Sequence, residues 1–168
     1  MEVLEAIRTR RSIRKYKSEP VPEEELEKIL DAGRWAPSAS NSQPWKFIVL
    51  RDAEMRESVA QLLPVGKFLA GAPVGIAIVS DRRESPRSVE DGSLATYSML
   101  LAAHSLGLGA CWLAPSFNEG KLKELLGIPE SKTLIMGIAI GYPAPEALAN
   151  TCPRNREPLT SFTQWHGF

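Results

Sequence analysis

Residues 36–45 read Ala-Pro-Ser-Ala-Ser-Asn-Ser-Gln-Pro-Trp, and this stretch lies between two elements that the surrounding sequence predicts. Before it, Leu26, Ile29 and Leu30 recur at helical spacing, and that helix must end before the first proline of the stretch. After it, Lys46–Leu50 has the composition of a strand. A short loop, stiffened by two prolines and a tryptophan, therefore joins a helix to a strand.

The polar groups of this loop can serve two purposes. Serine, asparagine and glutamine side chains often cap the backbone of their own loop. The same amide and hydroxyl groups also suit the edge of a heterocyclic ring that carries alternating hydrogen-bond donors and acceptors. On the second interpretation the serine, asparagine and glutamine side chains of this loop would contact such a ring.

A second polar cluster, Arg10-Arg11-Ser12-Ile13-Arg14, follows a short predicted helix marked by Val3, Leu4 and Ile7. Guanidinium groups and a hydroxyl this close together can give a phosphate bidentate, charge-assisted hydrogen bonds. The same residues could instead complement the C-terminus of the helix, or form a solvated basic segment with their basic neighbours. The cluster alone does not decide between these interpretations.

Apolar runs and helical spacing predict further strands and helices along the chain. The predicted strands are Val74–Ser80, Ala110–Leu113 and Leu134–Ile140, and the predicted helices are Ser88–Leu106 and Asn118–Leu126. In the longer helix one side carries Leu94, Tyr97, Leu101 and His104. This order predicts one domain over residues 1–168, an α+β or α/β sandwich with a central sheet and helices around it.

The composition excludes several classes of function. The 168 residues carry 20 basic and 20 acidic side chains, so no general attraction to nucleic acid or a membrane surface is expected. Cys111 and Cys152 are too few for a disulfide framework or a zinc site; one bridge is possible, but free thiols in the cytoplasm are the simpler expectation. Apolar runs such as Val74–Val79 fall far short of the ~18 residues of a membrane span. We expect neither a metal nor a membrane partner.

The order and spacing of five segments resemble the nitroreductase superfamily. The segments are Arg-Arg-Ser-Ile-Arg from residue 10, the loop from residue 36, Gly-Leu-Gly-Ala-Cys-Trp-Leu-Ala-Pro from residue 107, Ile-Gly-Tyr-Pro from residue 140 and Arg-Asn-Arg-Glu-Pro-Leu from residue 154. The resemblance spans Val3 to about Leu159 and implies a mostly antiparallel sheet, a homodimer and FMN at the subunit interface. It also implies a ping-pong oxidoreductase: NADH or NADPH delivers hydride, and a nitroaromatic, quinone or similar acceptor takes the electrons.

The matching positions imply a set of FMN contacts from four segments. The first arginine cluster and a basic pair near the C-terminus match the phosphate side, and Arg14 falls where the family places a cation near the flavin pyrimidine. The polar loop matches the segment that meets the flavin ring, partly from the other subunit. The expected FMN contacts are Arg10, Arg11, Ser12, Arg14, Pro37, Ser38, Ser40, Asn41, Gln43, Trp112, Leu113, Ala114, Arg154 and Arg156.

The segment that passes flavin N5 in this family bears on the type of chemistry. Deiodinases of the superfamily carry a hydroxyl side chain there, whereas Ala114 stands at the matching position and Pro115 offers no N–H. The resemblance therefore favours two-electron hydride transfer over one-electron chemistry. The alternatives are a family member that does not use a nicotinamide, either deiodinase-like or flavin-fragmenting, and a flavin-binding redox module without turnover.

Other residues have ordinary structural interpretations. His104, in an apolar helix, is expected to be a packed core histidine, and Cys111 a small buried thiol. Glu90 and Asp91 are interpreted as charges that complement the start of their helix.

Two regions are expected to form the surroundings of the site. We expect residues 160–168, with the aromatic side chains of Phe162, Trp165 and Phe168, to pack as a tail on the partner subunit. Loop residues around Val65–Phe68 and Ser80–Val89 are expected to decide which substrate is accepted.

Overall fold

The computed structural model describes residues 1–114, 118–149 and 155–167. Within them a sheet is formed by β1 (Trp45–Leu50), β2 (Val74–Ser80), β3 (Gly109–Leu113) and β4 (Thr133–Gly141). The strands lie in the order β1-β2-β4-β3, and each neighbouring pair is antiparallel. The expected mostly antiparallel sheet is confirmed.

Helices cover this sheet, and along the chain they are interspersed with its strands. They are α1 (Val3–Thr9), α2 (Glu23–Arg34), α3 (Ala53–Leu62), α4 (Ser88–Ser105), α5 (Glu119–Leu125) and α6 (Pro145–Ala149). Short 3-10 turns occur at Ala39–Asn41, Lys67–Leu69 and Leu159–Ser161. No described helix is both long enough and apolar enough to span a membrane.

Both faces of the sheet are covered, which explains why β2 is a continuous apolar run buried along its whole length. Ile76 and Ile78 belong to the core on one face, together with α2 and α4. Ala77 and Val79 belong to the core on the other face, under α3 and α5. The alternation follows from the two-residue period of a strand, which sends successive side chains to opposite faces.

Helix α4 packs on the sheet through small and flexible side chains. Ala95, Met99 and Ala103 are fully buried at helical spacing. The predicted stripe that begins with Leu94 and Tyr97 lies on the opposite side, and these two side chains are 45% and 38% exposed. The sequence predicted the helix, but its buried face carries Ala95, Met99 and Ala103, whereas Leu94 and Tyr97 lie at the surface.

In helix α1, too, the apolar face that the sequence marks differs from the face that is buried. Val3 and Leu4 mark its apolar face in the sequence, yet they are 69% and 65% exposed, and only Ala6 is buried. The chain therefore carries two helices, α1 and α4, on which some large apolar side chains face outward.

Helix α3 is absent from the sequence prediction. Its start is capped by Asp52, whose carboxylate accepts a hydrogen bond from Met55 N at 2.7 Å. An acidic N-cap followed by a glutamate in the first turn is the sequence signal that marks this helix start.

The segment after α1 runs beside the edge strand β3. Ser12 forms a parallel bridge with Ala110, and Ile13 N donates to Ala110 O at 3.1 Å. The approach is close because Gly109 has no side chain: a Cβ there would lie 2.7 Å from the Cβ of Ile13. The backbone of β3 thereby fixes the position of the arginine cluster.

Gly109→Ala should destabilise the protein by about 1–3 kcal/mol, because the added methyl group displaces Ile13 from β3. The measurement is the free energy of unfolding in urea. Gly120→Ala is the matched control: it lies in α5 with open space around its Cβ, and alanine there should raise stability by up to ~1 kcal/mol. Equal effects of the two substitutions would contradict this account of the β3 edge.

Candidate functional site

The arginine cluster contains guanidinium nitrogens that are shielded from solvent and lack an acceptor. Arg10 Nε and Arg11 Nη1 are both buried without a hydrogen-bond partner. A buried donor left unsatisfied costs ~1–3 kcal/mol, and a charged one costs more. The cluster is therefore incomplete in the isolated chain, and an anion is the group that would complete it.

Side chains of the cluster lie on two faces of the extended segment. Arg14, Ser12 and Arg10 all lie close enough to the Cys111 thiol to lower its pKa. Arg11, by contrast, lines the surface on the side of Tyr142. The structure thus brings Arg10, Ser12 and Arg14 together beside β3 and places Arg11 on the other face.

Cys111 is the small buried thiol that the sequence predicted. It is 2% exposed, and its Sγ lies 3.6 Å from Trp112 O. Burial raises the pKa of the thiol, although Arg14, Ser12 and Arg10 act in the opposite direction. The protonated thiol is therefore the stable form at neutral pH, and it is a poor nucleophile.

The C-terminal end of β3 adds apolar surface beside the arginine cluster. The guanidinium carbon of Arg14 lies 5.8 Å from the centre of the Phe68 ring, a cation–π distance. Trp112 is 37% exposed and Ala114 is exposed, whereas Leu113 is buried in the core under α3. Leu113 can therefore offer a ligand only its backbone.

The polar loop has an unusual backbone. Ser40, Asn41 and Gln43 have φ angles of 53°, 56° and 49°, in the left-handed region that disfavours residues with a side chain. Such conformations cost of order 1–3 kcal/mol each and persist only where the surroundings impose them. Within the loop, Ser38 Oγ accepts from Gln43 N at 3.0 Å, and Gln43 Nε2 donates to Asn41 O at 3.2 Å.

A buried carboxylate ties this loop to helix α4. Asp91 is 3% exposed; its Oδ1 accepts from Ala39 N at 3.0 Å and its Oδ2 accepts from Ser85 Oγ at 2.7 Å. The sequence interpretation of Asp91 as a simple charge at the helix start missed this role. A residue next to the exposed Glu90 gives no sequence signal of its burial.

The far end of the loop is fixed through Asp81. Its backbone N–H donates to Pro44 O at 3.1 Å, directly before the buried Trp45 at the start of β1. Its carboxylate pairs with Arg83 at 2.9 Å and Lys132 at 2.6 Å. Hydrogen bonds from Arg83 and Lys132 hold the pKa of Asp81 well below its usual range.

Within one chain the two candidate clusters lie at opposite ends of α4. The polar loop contacts Asp91 in the first turn, whereas Thr9, just before the arginine cluster, contacts His104 in the last turn at 2.8 Å. A rise of 1.5 Å per residue separates these contacts by about 20 Å along the helix. The chain does not bring its own loop to its own arginine cluster.

His104 is not the packed core histidine that the sequence suggested. It is a half-buried residue of α4, and its Nε2 lies 2.8 Å from Oγ1 of Thr9, the last residue of α1. Because Thr9 Oγ1 already donates its hydrogen to Glu5 O at 2.7 Å, His104 Nε2 must be the donor in this contact.

The C-terminal candidates are only partly described. Arg156 is exposed and donates to Asn155 O at 2.8 Å, while Arg154 lies outside the described residues. Phe162 and Trp165 are 73% and 81% exposed, and Phe168 also lies outside the described residues. No part of the chain that the structure describes buries these two aromatic side chains.

The described residues contain no group of three or more His, Cys, Asp or Glu side chains that could hold a metal ion. The chemistry of the candidate site rests on cations, amides and backbone groups.

A family model described as Nitroreductase family matches residues 7–67 and 65–142. The chain therefore belongs to the nitroreductase family. A protein of Methanothermobacter thermautotrophicus, provisionally named NADH dehydrogenase/NAD(P)H nitroreductase, is 46% identical over 150 residues, which cover 86% of this chain and 78% of that protein.

Solved structures agree with this assignment. A provisionally named nitroreductase from Desulfovibrio desulfuricans in complex with FMN is 35% identical with a TM-score of 0.87, covering 100% of this chain and 98% of that one. An FMN-dependent nitroreductase from Clostridium difficile is 31% identical with a TM-score of 0.86, covering 99% of this chain and 100% of that one.

Asp81→Asn should lower the free energy of unfolding at pH 7, because Arg83 and Lys132 then lose their anionic partner. The depressed pKa means that the carboxylate stabilises the fold above its unfolded-state pKa of about 4, and that this contribution is lost as pH falls towards the folded-state value. The difference from wild type in urea unfolding should therefore shrink between pH 7 and pH 3. Glu84→Gln, an exposed neighbour, is the control; a pH-independent difference for Asp81→Asn would contradict the prediction.

Proposed function

We propose that the chain is an FMN-dependent oxidoreductase that uses NADH or NADPH and passes the electrons to nitroaromatic, quinone or similar acceptors by a ping-pong reaction. Support comes from the D. desulfuricans relative in complex with FMN and from the NAD(P)H nitroreductase name of the archaeal relative. The physical support comes from the chain's own residues.

One observation carries the proposal: Arg10 Nε is buried without a partner, on the face of the segment that Arg10 shares with Ser12 and Arg14. These residues lie in a segment whose backbone is fixed by β3, so their positions are set before any ligand arrives. A preorganised guanidinium donor without an internal acceptor suits the phosphate of FMN. The residues present therefore fit the cofactor.

The proposed cofactor contacts are the positions of this chain that match the family's motifs. Arg10 and Ser12, with Arg154 and Arg156, are assigned to the phosphate; Arg11, expected from the sequence to join them, lies on the other face of the segment and is left out of this set. The ring is assigned to Arg14, to the segment Trp112–Ala114, and to the partner's polar loop with Pro37, Ser38, Ser40, Asn41 and Gln43. When bound, FMN supplies the hydride acceptor and donor that no amino-acid side chain can supply.

The side chains of the protein then have two tasks: to orient the bound ring and to stabilise the negative charge on it. Arg14, held against Phe68, places a permanent positive charge where negative charge develops on a reduced ring. Ala114 brings no hydroxyl group to this region. The buried thiol of Cys111 remains protonated, so it adds no competing nucleophile. The site thus serves hydride transfer by positioning.

We further propose that the active form is a homodimer. The polar loop and the arginine cluster lie at opposite ends of α4, so a two-fold axis across this helix brings the loop of one chain to the cluster of the other. The outward-facing Leu94 and Tyr97 on α4 and Val3 and Leu4 on α1 supply the apolar surface for such contact. The tail with Phe162 and Trp165 is assigned to the partner's surface.

The function is tested by the visible spectrum of the purified protein, read without oxygen. We expect flavin absorbance near ~450 nm, bleaching on addition of NADH or NADPH, and recovery on addition of a nitrobenzoate or a benzoquinone. Arg10→Ala should weaken FMN binding by at least about tenfold and make the flavin-free protein more stable, because it removes a buried guanidinium nitrogen that has no hydrogen-bond partner.

Arg8→Ala is the matched control, since Arg8 lies on α1 and is exposed; it should bind FMN like the wild type. A protein that binds FMN but is not reduced by either nicotinamide would favour the alternatives, a redox module or a family member with another reductant. A colourless protein that takes up no FMN would refute the proposal.

Leu94→Glu should convert the dimer to a monomer, because it buries a charge in the proposed two-fold contact. Light scattering measures the mass, and Gln61→Glu, which places the same charge on the exposed side of α3, should leave it unchanged. A wild-type protein that is monomeric yet holds FMN would contradict the two-chain site.

A further inference from the structure

The polar loop needs an external support for its shape. Its internal bonds, from Gln43 N to Ser38 Oγ and from Gln43 Nε2 to Asn41 O, close the loop on itself. They do not fix its position on the rest of the chain. Left-handed backbone at three non-glycine positions relaxes unless neighbouring structure imposes it.

The support is a buried carboxylate on α4. Both carboxylate oxygens of Asp91 accept hydrogen bonds from neutral donors: Oδ1 from Ala39 N at 3.0 Å and Oδ2 from Ser85 Oγ at 2.7 Å. Ser85 is itself 1% exposed, and its Oγ accepts from Arg87 N at 3.0 Å. A carboxylate in the first turn of a helix is also stabilised by the helix dipole. The group is thus rigid and shielded from water.

We propose that Asp91 is a positioning residue for flavin binding: fixed by Ser85, its carboxylate holds Ala39 and with it the Ser38–Gln43 loop in the shape that meets the flavin of the partner subunit. The inference rests on the proposed function. Asp91 does not contact the flavin; it acts through the backbone of the loop.

The location on α4 gives this support a second consequence. Leu94 and Tyr97, one and two turns further along, form the outward face assigned to the two-fold contact. A single helix therefore carries the loop anchor and the subunit contact, so the loop is placed relative to the partner chain and not only relative to its own. Because the loop is already ordered, its ring-facing groups lose little conformational entropy when they bind the cofactor of the second chain.

The test compares Asp91→Ala, Asp91→Asn and the control Glu90→Ala, an exposed neighbour on the same turn. The measurements are the FMN dissociation constant from flavin fluorescence, the visible circular dichroism of bound FMN and the thermal midpoint of the flavin-free protein. Asp91→Ala should raise the dissociation constant about 10- to 100-fold and change the dichroism of the bound ring. Asp91→Asn, whose amide oxygen can still accept from Ala39 N, should recover most of the affinity and the dichroism.

Wild-type affinity and dichroism in Asp91→Ala would overturn the inference, as would equal losses in Asp91→Ala, Asp91→Asn and Glu90→Ala. If Asp91→Ala fails to fold, Ser85→Ala replaces it: it removes one of the two bonds and should shift affinity in the same direction by a smaller factor, and no shift would overturn the inference. A wild-type protein that binds no FMN refutes the proposed function itself, a result distinct from a variant that binds FMN as well as the wild type does.

Discussion

The close packing of helix α4 on the sheet is the constraint on which the candidate site depends. A Cβ at Gly92 would collide with Ile135, one at Gly33 of α2 would lie 2.9 Å from Met99, and Ala95 and Ala103 are fully buried. Small residues at these contacts let α4 lie deep between α2 and the strands. Asp91 at one end of α4 binds the polar loop, and His104 at the other end binds Thr9, just before the arginine cluster. The depth of this one helix therefore sets the separation of the two clusters.

The isolated chain carries unfavourable features that are concentrated at the candidate site. Unpaired guanidinium nitrogens at Arg10 and Arg11, left-handed backbone at Ser40 and Asn41, and exposed aromatic rings in the C-terminal tail all oppose the stability of a single copy. Cores elsewhere in the chain are conventional apolar packing. This distribution is expected where binding groups are preorganised at the expense of local stability.

The sequence predicted the bounds of helices and strands better than it predicted which of their side chains are buried. Strand β2 and helix α4 were bounded within a residue or two, because a long apolar run and a long helical period are strong signals. Burial was harder to predict: Leu94 faces outward and Asp91 inward, because residue type alone does not distinguish a buried apolar residue from an exposed one, or an exposed carboxylate from a buried acceptor. The polar clusters were recognisable from their composition, but their separation along α4 is a property of the tertiary structure. His104 was misplaced for the same reason.

A site divided between two chains links cofactor binding to association. In the proposed dimer, the arginine cluster of one chain binds the phosphate while the loop of the other meets the ring, so one copy alone offers each FMN only part of its contacts. By linkage, FMN that binds the dimer more tightly must stabilise the dimer by the same free energy. In this dimer the second chain covers the exposed apolar faces of α1 and α4, and the anion pairs with the free guanidinium nitrogens. Both events are therefore needed to complete the site.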